Sequence, residues 1–160
     1  MINKLLFQIR RMIYLFLFLI NSDENRSKLI RFFYKCEIGQ NVHWTGLPIL
    51  GTESHLIQIG NNVTIARNVV FHTHDGAVRL IRDRYPEINL YGKIVIGNDC
   101  FIGSDSILLP NINIGNNSIV GTGSVVTKDI PSNSVYAGNP AKFIKSTSSY
   151  TEQVLKKINL

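Results

Sequence analysis

The chain has 160 residues, and its 17 Lys and Arg against 11 Asp and Glu give a net charge of +6. Hydrophobic residues make up 44% and charged residues 18%, so a folded globular chain is expected rather than a disordered one. Two cysteines exclude a disulfide scaffold and indicate a reducing environment. The length fits one domain, or one domain with a short appendage.

Residues 1–35 are predicted to form an N-terminal helical arm that carries most of the positive charge. Seven basic against two acidic residues give this arm +5, which leaves only +1 for the remaining chain and disfavours a nucleic-acid-binding body. The apolar run at 12–20 is shorter than the roughly 20 residues that a membrane span needs. We expect the arm to pack on the body or a neighbouring subunit, or to rest on anionic lipid. A secretory signal is a third reading, although no small-residue cleavage site follows the run.

Apolar residues recur every six positions along the body, a period that fits neither an α-helix nor a long alternating strand. Short β-branched strands joined by turns at Gly, Asn and Asp suit this period. Three such strands close a triangular coil of 18 residues, and coils stack about 4.8 Å apart. The sequence therefore predicts an all-β fold, a parallel β-helix over residues 36–145. The residues predicted to point inward are Ile38, Trp44, Ile59, Ile65, Phe71, Ile96, Ile102, Leu108, Ile114, Val120 and Val126. Small or β-branched residues four positions later are predicted to fill the narrower corners: Val63, Val69, Cys100, Ser106, Ile112, Ser118, Ser124 and Ile130.

Two interruptions of the six-residue period predict insertions. Phe71 and Ile96 are 25 residues apart, which is not a multiple of six, so a loop is expected to be extruded at about 75–91. A smaller irregularity lies at 46–56. Insertions on a solenoid usually map to its binding face. The coil is expected to end near Ile130, followed by a C-terminal tail at 146–160 with a short helix at 151–159.

From residue 62 to residue 145 the chain resembles the hexapeptide-repeat acyltransferases, most of all the capsular and surface-polysaccharide O-acetyltransferases. The resemblance is carried by IGNDCFIGS at 96–104, VGTGSVVTKDIP at 120–131, AGNPAK at 137–142, and THDG at 73–76 before a basic loop. It implies a left-handed β-helix and a homotrimer with each active site between two subunits. It also implies acetyl transfer from acetyl-CoA to a sugar hydroxyl of a surface polysaccharide or its precursor. The expected location is the cytoplasm, with peripheral membrane contact left open for residues 1–35.

Acetyl transfer to a hydroxyl needs a base for the proton and a donor for the developing oxyanion. Histidine suits the first role because its unperturbed pKa is near 6.5. The chain has four: His43, His55, His72 and His74. The resemblance assigns the base to His74, where the extruded loop leaves the coil, and the oxyanion donor to the backbone amide of Ser104. Asp75, Glu53 or a backbone carbonyl could orient the imidazole, and Asp75 is taken as the second catalytic residue.

Further residues are assigned by the resemblance or by the chemistry of the loop. The residues expected to contact acetyl-CoA are Gly103, Ser104, Thr122, Gly123, Thr127, Lys128, Lys142 and Lys145. Those expected to bind the acceptor are Arg82, Tyr85 and Glu53. Arg79 and Arg84 are further candidates for an acidic or phosphorylated sugar, and Tyr91 for stacking on a sugar ring. Phe101 stands where relatives often carry Trp, so that position lacks the indole N–H.

Three other functions compete with this assignment. A zinc site of His55, His72 and His74, as in hexapeptide carbonic anhydrases, is disfavoured by the C-terminal blocks, so no metal is expected. An acetyltransferase for a small acceptor, such as an amino sugar, an amino acid or an antibiotic, stays open. A non-catalytic hexapeptide scaffold also stays open, and binding of acetyl-CoA would distinguish it from an enzyme.

Overall fold

A computed structural model describes residues 12–13 and 15–159 of the chain. Residues 12–13 and 15–20 are helical, and helix α1 follows at Asp23–Tyr34. The strands are β1 (Glu37–Ile38), β2 (His43–Trp44), β3 (Ile49–Leu50), β4 (Ile57–Ile59), β5 (Thr64–Ile65), β6 (Val70–Phe71), β7 (Ile94–Ile96), β8 (Phe101–Ile102), β9 (Ile107–Leu108), β10 (Ile112–Ile114), β11 (Ile119–Val120), β12 (Val125–Val126), β13 (Ser134–Ala137) and β14 (Lys142–Ser146). Helix α2 is Thr147–Lys157, and two 3₁₀ helices lie at Ser54–Leu56 and Gly76–Ile81.

The strands form three sheets that are the faces of a prism. Face A contains β1, β4, β7 and β10, and face C contains β3, β6, β9 and β12. Face B contains β2, β5, β8, β11 and β13, with β14 antiparallel at its edge. Because the chain visits faces A, B and C in turn, every three strands close one coil and four coils are complete. The predicted left-handed parallel β-helix is confirmed.

The interior of the prism is filled by the residues that the six-residue period singles out. Every predicted inward residue is buried, and even Ile38 in the first coil is only 9% exposed. The small corner residues are buried as well, including three serines that would be costly to bury without partners. Each finds a carbonyl near a corner: Ser106 and Ser124 donate to Gly121 at 3.1 and 2.6 Å, and Ser118 donates to Pro131 at 3.0 Å.

The corner between faces A and B is stabilised by a ladder of short polar side chains. Asn62 lies in the left-handed region at φ 56°, which Asn and Asp tolerate better than other side chains. Its amide donates to Asp99 at 2.9 Å in the next coil and accepts from Asn41 at 3.1 Å in the coil before. Beside this ladder the coils approach so closely that a Cβ on Gly60 would lie 2.7 Å from the backbone of Gly97.

Helix α1 covers the open end of the first coil. Phe18 and Ile30 are buried with Trp44, and the Phe18 and Trp44 rings meet edge to face at 6.3 Å. Trp44 Nε1 donates to Ser27 Oγ at 2.9 Å, and Arg26 donates to the carbonyls of Phe18 and Trp44, both at 2.8 Å. The described part of the predicted arm therefore packs on the body, whereas its residues 1–11 and 14 lie outside the described residues. Among residues 12–13 and 15–159, no helix combines the length and the apolar character that crossing a bilayer requires.

The other end differs from the expected stop near Ile130. Ile130 bridges to Ile114, and β13 then pairs with β11 to begin a fifth coil before β14 turns back antiparallel. Val120 pairs with Tyr136, which lies 16 residues later instead of the 18 of a regular coil. The six-residue period therefore does not predict this strand. Helix α2 begins at Thr147, four residues before the predicted helix.

Candidate active site

Two insertions meet at the corner between faces C and A, called here the C–A corner. Stacked residues of face A, Ile38, Ile59, Ile96 and Ile114, are 21, 37 and 18 residues apart. Since an uninterrupted coil needs 18, the first two steps carry three and nineteen extra residues. Both surpluses lie between a strand of face C and the next strand of face A. The smaller one contains the first 3₁₀ helix, and the larger one is the predicted extruded loop.

The base of the extruded loop holds His74 in a defined position. His74 forms an antiparallel bridge with Tyr91, and backbone hydrogen bonds of 2.8 and 3.0 Å join residues 73–75 to residues 90–92. The imidazole also meets the Tyr91 ring nearly edge to face, with centroids 6.5 Å apart. The loop thus leaves and returns through a two-stranded neck, and His74 lies in this neck.

The shorter insertion supplies a carboxylate to this histidine. Glu53 Oε2 is 2.8 Å from His74 Nδ1 and accepts a hydrogen bond from Thr73 Oγ1 at 3.1 Å, while Thr52 Oγ1 donates to Oε1 at 2.6 Å. The Thr52 hydroxyl, together with His74 and Thr73, lowers the pKa of Glu53 to about 2. An ionised Glu53 fixes the Nδ1–H tautomer, which leaves Nε2 with its lone pair. Nε2 has no hydrogen-bond partner within the described residues.

Asp75, the predicted second catalytic residue, has a different environment. Its Oδ1 accepts a hydrogen bond of 2.8 Å from the amide of Ala77 and caps the second 3₁₀ helix. The carboxylate paired with the imidazole belongs to Glu53, which the sequence left open as an orienting partner and also assigned to the acceptor. The signal that could have identified Glu53 is the three-residue surplus, since it lies in the coil directly before His74 and at the same corner.

His74 and Glu53 line a cleft at the extruded loop. Arg82 lines this cleft and donates to Asn89 Oδ1 at 3.1 Å, whereas Tyr85 is 60% exposed and is not part of its wall. The full lining is Thr52, Glu53, His74, Asp75, Gly76, Val78, Arg79, Arg82, Asn89, Leu90 and Tyr91. The aromatic residue beside the imidazole is therefore Tyr91 rather than Tyr85.

The other three histidines lie elsewhere. His43 bonds to Asp23 of helix α1, and His55 is exposed on the first 3₁₀ helix. His72, also exposed, precedes His74 by two residues without joining the cleft. Across the described residues, His, Cys, Asp and Glu side chains form no group of three suited to a metal ion.

The predicted oxyanion donor lies at a second corner, between faces B and C, called here the B–C corner. The Ser104 amide has no acceptor within the described part of the chain, whereas its carbonyl accepts from Gly123 at 2.8 Å. Gly103 is buried, and a Cβ there would lie 2.5 Å from the Thr122 backbone. Thr122 and Gly123 are exposed above Ser104. Four predicted donor-contacting residues therefore stack at this corner, around a free N–H.

The remaining predicted donor-contacting residues are spread over two other places. Thr127 and Lys128 are exposed directly after β12, at the C–A corner. Lys142 and Lys145 lie in β14, and Lys145 Nζ donates to Gln153 of helix α2. A single chain keeps Ser104 apart from His74, since strand β6 of face C lies between the B–C corner and the corner of His74.

Comparison with known proteins gives consistent matches. The family model for bacterial transferase hexapeptide (six repeats) matches residues 93–128. Protein CapG from Staphylococcus aureus is 47% identical over 106 residues, 66% of this chain and 62% of CapG. The chain thus spans under two thirds of the length of this curated relative.

Two solved structures extend the match over more of the chain. A maltose O-acetyltransferase from Clostridium difficile 630 is 30% identical with a TM-score of 0.55, covering 79% of this chain and 77% of its own. A galactoside acetyltransferase in complex with coenzyme A is 27% identical with a TM-score of 0.60, covering 90% and 82%. The coil architecture, the repeat model and these matches agree, and the chain belongs to the hexapeptide-repeat acyltransferase family.

Proposed function

We propose that the protein is an acetyl-CoA-dependent O-acetyltransferase that acts on a sugar hydroxyl of a surface polysaccharide or its precursor. The observation that carries this proposal is the 2.8 Å contact between His74 Nδ1 and Glu53, two residues that line the same cleft. Maltose and galactoside acetyltransferases among the matching structures support a sugar acceptor.

In this proposal His74 is the general base and Glu53 orients it. Acetyl-CoA, when bound, supplies an activated acetyl thioester. Nε2 of His74 takes the proton from the sugar hydroxyl as its oxygen attacks, and Glu53 stabilises the imidazolium that forms. The free amide of Ser104 donates to the oxygen on which negative charge develops. His74 then returns its proton to the leaving sulfur, which completes the transfer without a covalent enzyme intermediate.

The two corners would meet in a homotrimer. The outward residues of face C form an aliphatic column that runs through all four coils: Ile49, Val70, Ile107 and Val125. Ile49 is 54% exposed, and the other three are half-buried. Such a column favours burial against another subunit, and a head-to-tail contact between copies closes a ring. Since face C joins both corners, its burial would bring His74 of one subunit towards Ser104 of the next.

The first experiment tests the base. Release of CoA thiol is measured with acetyl-CoA and a panel of sugars for the wild type, His74→Ala and His72→Ala. His72 is a matched control because it is an exposed histidine two residues away and outside the cleft. His74→Ala should lose about 10²- to 10⁴-fold in rate, and His72→Ala should stay near the wild type. Equal rates for all three proteins would remove His74 from the mechanism.

The same panel separates the alternative functions. Transfer only to an amino sugar, an amino acid or an antibiotic would replace the polysaccharide assignment with a small acceptor. Calorimetry that shows no binding of acetyl-CoA would favour the non-catalytic scaffold and overturn the proposal.

A second experiment tests the subunit seam. His74→Ala and Ser104→Pro, which removes the free amide, are co-expressed with different tags, and mixed trimers are isolated. If each site combines His74 of one subunit with Ser104 of its neighbour, one seam in three is intact, so about a third of wild-type activity returns. Inactive mixed trimers, with the trimer and β-sheet content retained in both parents, would show that the two residues do not act across a seam.

We also propose a cytoplasmic location with peripheral contact at the inner membrane face. The outer face of the N-terminal helix, defined as Met12, Ile13, Phe16, Leu19 and Ile20, is 48–69% exposed although all five residues are apolar. The buried Phe18 attaches the opposite side of this helix to the body. The +5 charge of residues 1–35 complements anionic lipid, which favours lipid as the partner of this outer face.

A further inference from the structure

The acceptor cleft contains two arginines whose charges are not used by the protein itself. Arg79 lies in the second 3₁₀ helix and Arg82 directly follows it. Both side chains line the same cleft as His74. Among the described residues neither guanidinium forms an ion pair, and Arg82 donates only to the neutral amide oxygen of Asn89.

The carboxylates of the cleft have other partners. Glu53 is engaged by His74, Thr52 and Thr73, and Asp75 accepts from the backbone of the 3₁₀ helix. Neither of these carboxylates forms an ion pair with Arg79 or Arg82. Two cationic groups that line the same cleft as His74 are thus available to an incoming ligand.

The chemistry of the guanidinium narrows what can enter. Arginine binds carboxylate and phosphate groups through two parallel N–H donors, and such charge-assisted bonds are stronger than bonds to neutral hydroxyls. An uncharged sugar would leave both exposed guanidinium groups to solvent. An anionic sugar would supply one, while its hydroxyl remained available to His74 and its ring could stack on Tyr91.

We infer that the acceptor is an anionic sugar, one that bears a carboxylate or a phosphate, and that Arg79 and Arg82 select it. This inference rests on the proposed function, because it concerns the acceptor of the same site. It goes beyond the neutral sugars in the titles of the matching maltose and galactoside enzymes. Arg84 gives an internal contrast, since it belongs to the same loop but does not line the cleft.

The test compares acceptors that differ in one anionic group. Methyl glucuronide is set against methyl glucoside, methyl galacturonide against methyl galactoside, and glucose 1-phosphate tests the phosphate arm. In each uronide a carboxylate replaces the C6 hydroxymethyl group of the neutral sugar, whereas glucose 1-phosphate keeps its C6 hydroxyl. In the wild type, kcat/KM should be at least about tenfold higher for an anionic acceptor than for its neutral counterpart, and added salt should raise its KM. The better of the two anionic arms identifies carboxylate or phosphate as the recognised group.

The variants then assign the preference to residues. Arg79→Gln and Arg82→Gln should each reduce kcat/KM for the anionic acceptor by about tenfold relative to kcat/KM for its neutral counterpart. The loss should be in KM rather than kcat. Arg84→Gln is the matched control and should behave like the wild type. All three arginines are exposed, so these substitutions should leave thermal unfolding unchanged.

A binding measurement separates this inference from the proposed function. Saturation-transfer NMR with methyl glucuronide and glucose 1-phosphate is run on two proteins. One carries His74→Ala alone, and the other carries both His74→Ala and Arg82→Gln. Binding that depends on Arg82 without any acetyl transfer by the wild type would overturn the proposed function and support the anionic ligand. Equal transfer to neutral and anionic sugars, equal losses in Arg82→Gln and Arg84→Gln, or no binding at all would overturn the inference.

Discussion

Replacing Glu53 with Gln tests how the imidazole is held in its working state. Gln retains an oxygen that can accept the His74 Nδ1–H bond but removes the charge. For two unit charges 2.8 Å apart, Coulomb's law gives about 1.5 kcal/mol in water and about 6 kcal/mol at an effective dielectric constant of 20. The His74 side chain is 44% exposed, so the lower value applies and kcat should fall about tenfold. Glu53→Ala, which also removes the acceptor, should lose more.

Two further carboxylates make this prediction specific. Glu87→Gln removes an exposed acid of the extruded loop that does not line the cleft, and it should leave kcat unchanged. Asp75→Asn separates the two candidate partners of His74, because Asp75 contacts Ala77 and not the imidazole. CoA release is measured for each variant at saturating acetyl-CoA. A larger fall in kcat for Asp75→Asn than for Glu53→Gln would refute the orienting role of Glu53.

The effect of Glu53→Gln on the stability of the protein should depend on pH. The pKa of Glu53 is lowered from its ordinary 4.5 to about 2, so the folded state favours the ionised form. The resulting stabilisation is complete above pH 4.5 and is lost as the pH falls towards 2. The wild type should therefore exceed Glu53→Gln in free energy of unfolding most at pH 6, and the difference should shrink by pH 3. Urea denaturation at both pH values measures it, and a difference that grew at pH 3 would contradict the assigned shift.

Three other outcomes are expected. Gly60→Ala should cost more than about 1 kcal/mol in stability because its Cβ would press on the next coil, whereas Gly76→Ala, with nothing within 4 Å, should cost little. Burial raises the pKa of the Cys36 thiol to about 12 and also raises that of Cys100, so neither should react with a thiol reagent until the protein unfolds. Phe16→Asp should weaken cosedimentation with anionic vesicles, measured against neutral vesicles, and should leave activity on a soluble sugar unchanged. Equal sedimentation of the wild type and Phe16→Asp would argue against the lipid contact.

The fold is predictable from the sequence because one geometric demand repeats in every coil. An inward aliphatic residue every six positions and a small one at each corner are needed wherever three short strands close a triangle. Residues such as Ile65 and Ile102 meet that demand locally, and both are fully buried. The predicted end of the coil near Ile130 was wrong because the six-residue period is broken before β13. The last coil is two residues short, and the antiparallel β14 follows at the edge of the same face.

The site was less predictable because it depends on the relative position of two insertions. His74 is recognisable from its local motif, but its partner Glu53 lies 21 residues earlier, about one coil away. The pairing requires that both surpluses lie at the same corner in consecutive coils. The sequence places the smaller irregularity only within 46–56. Asp75 is adjacent in the chain, yet the loop turns its carboxylate towards Ala77.

The division between scaffold and loop has a consequence for how acceptor preference can change. The extruded loop leaves the stack undisturbed, since Phe71 and Leu108 on either side of it pair in register as if nothing lay between them. Residues 76–81 contain no buried side chain, so substitutions there cost little stability. At the B–C corner, by contrast, a side chain on Gly103 would strike the next coil. At the proposed site, binding of the acyl donor would therefore be tied to the packing of the prism, whereas recognition of the acceptor would not. If the proposed acceptor is correct, a change of charge at Arg79 or Arg82 would alter which sugar is acetylated, while the coil, the B–C corner and the His74–Glu53 pair would stay as they are.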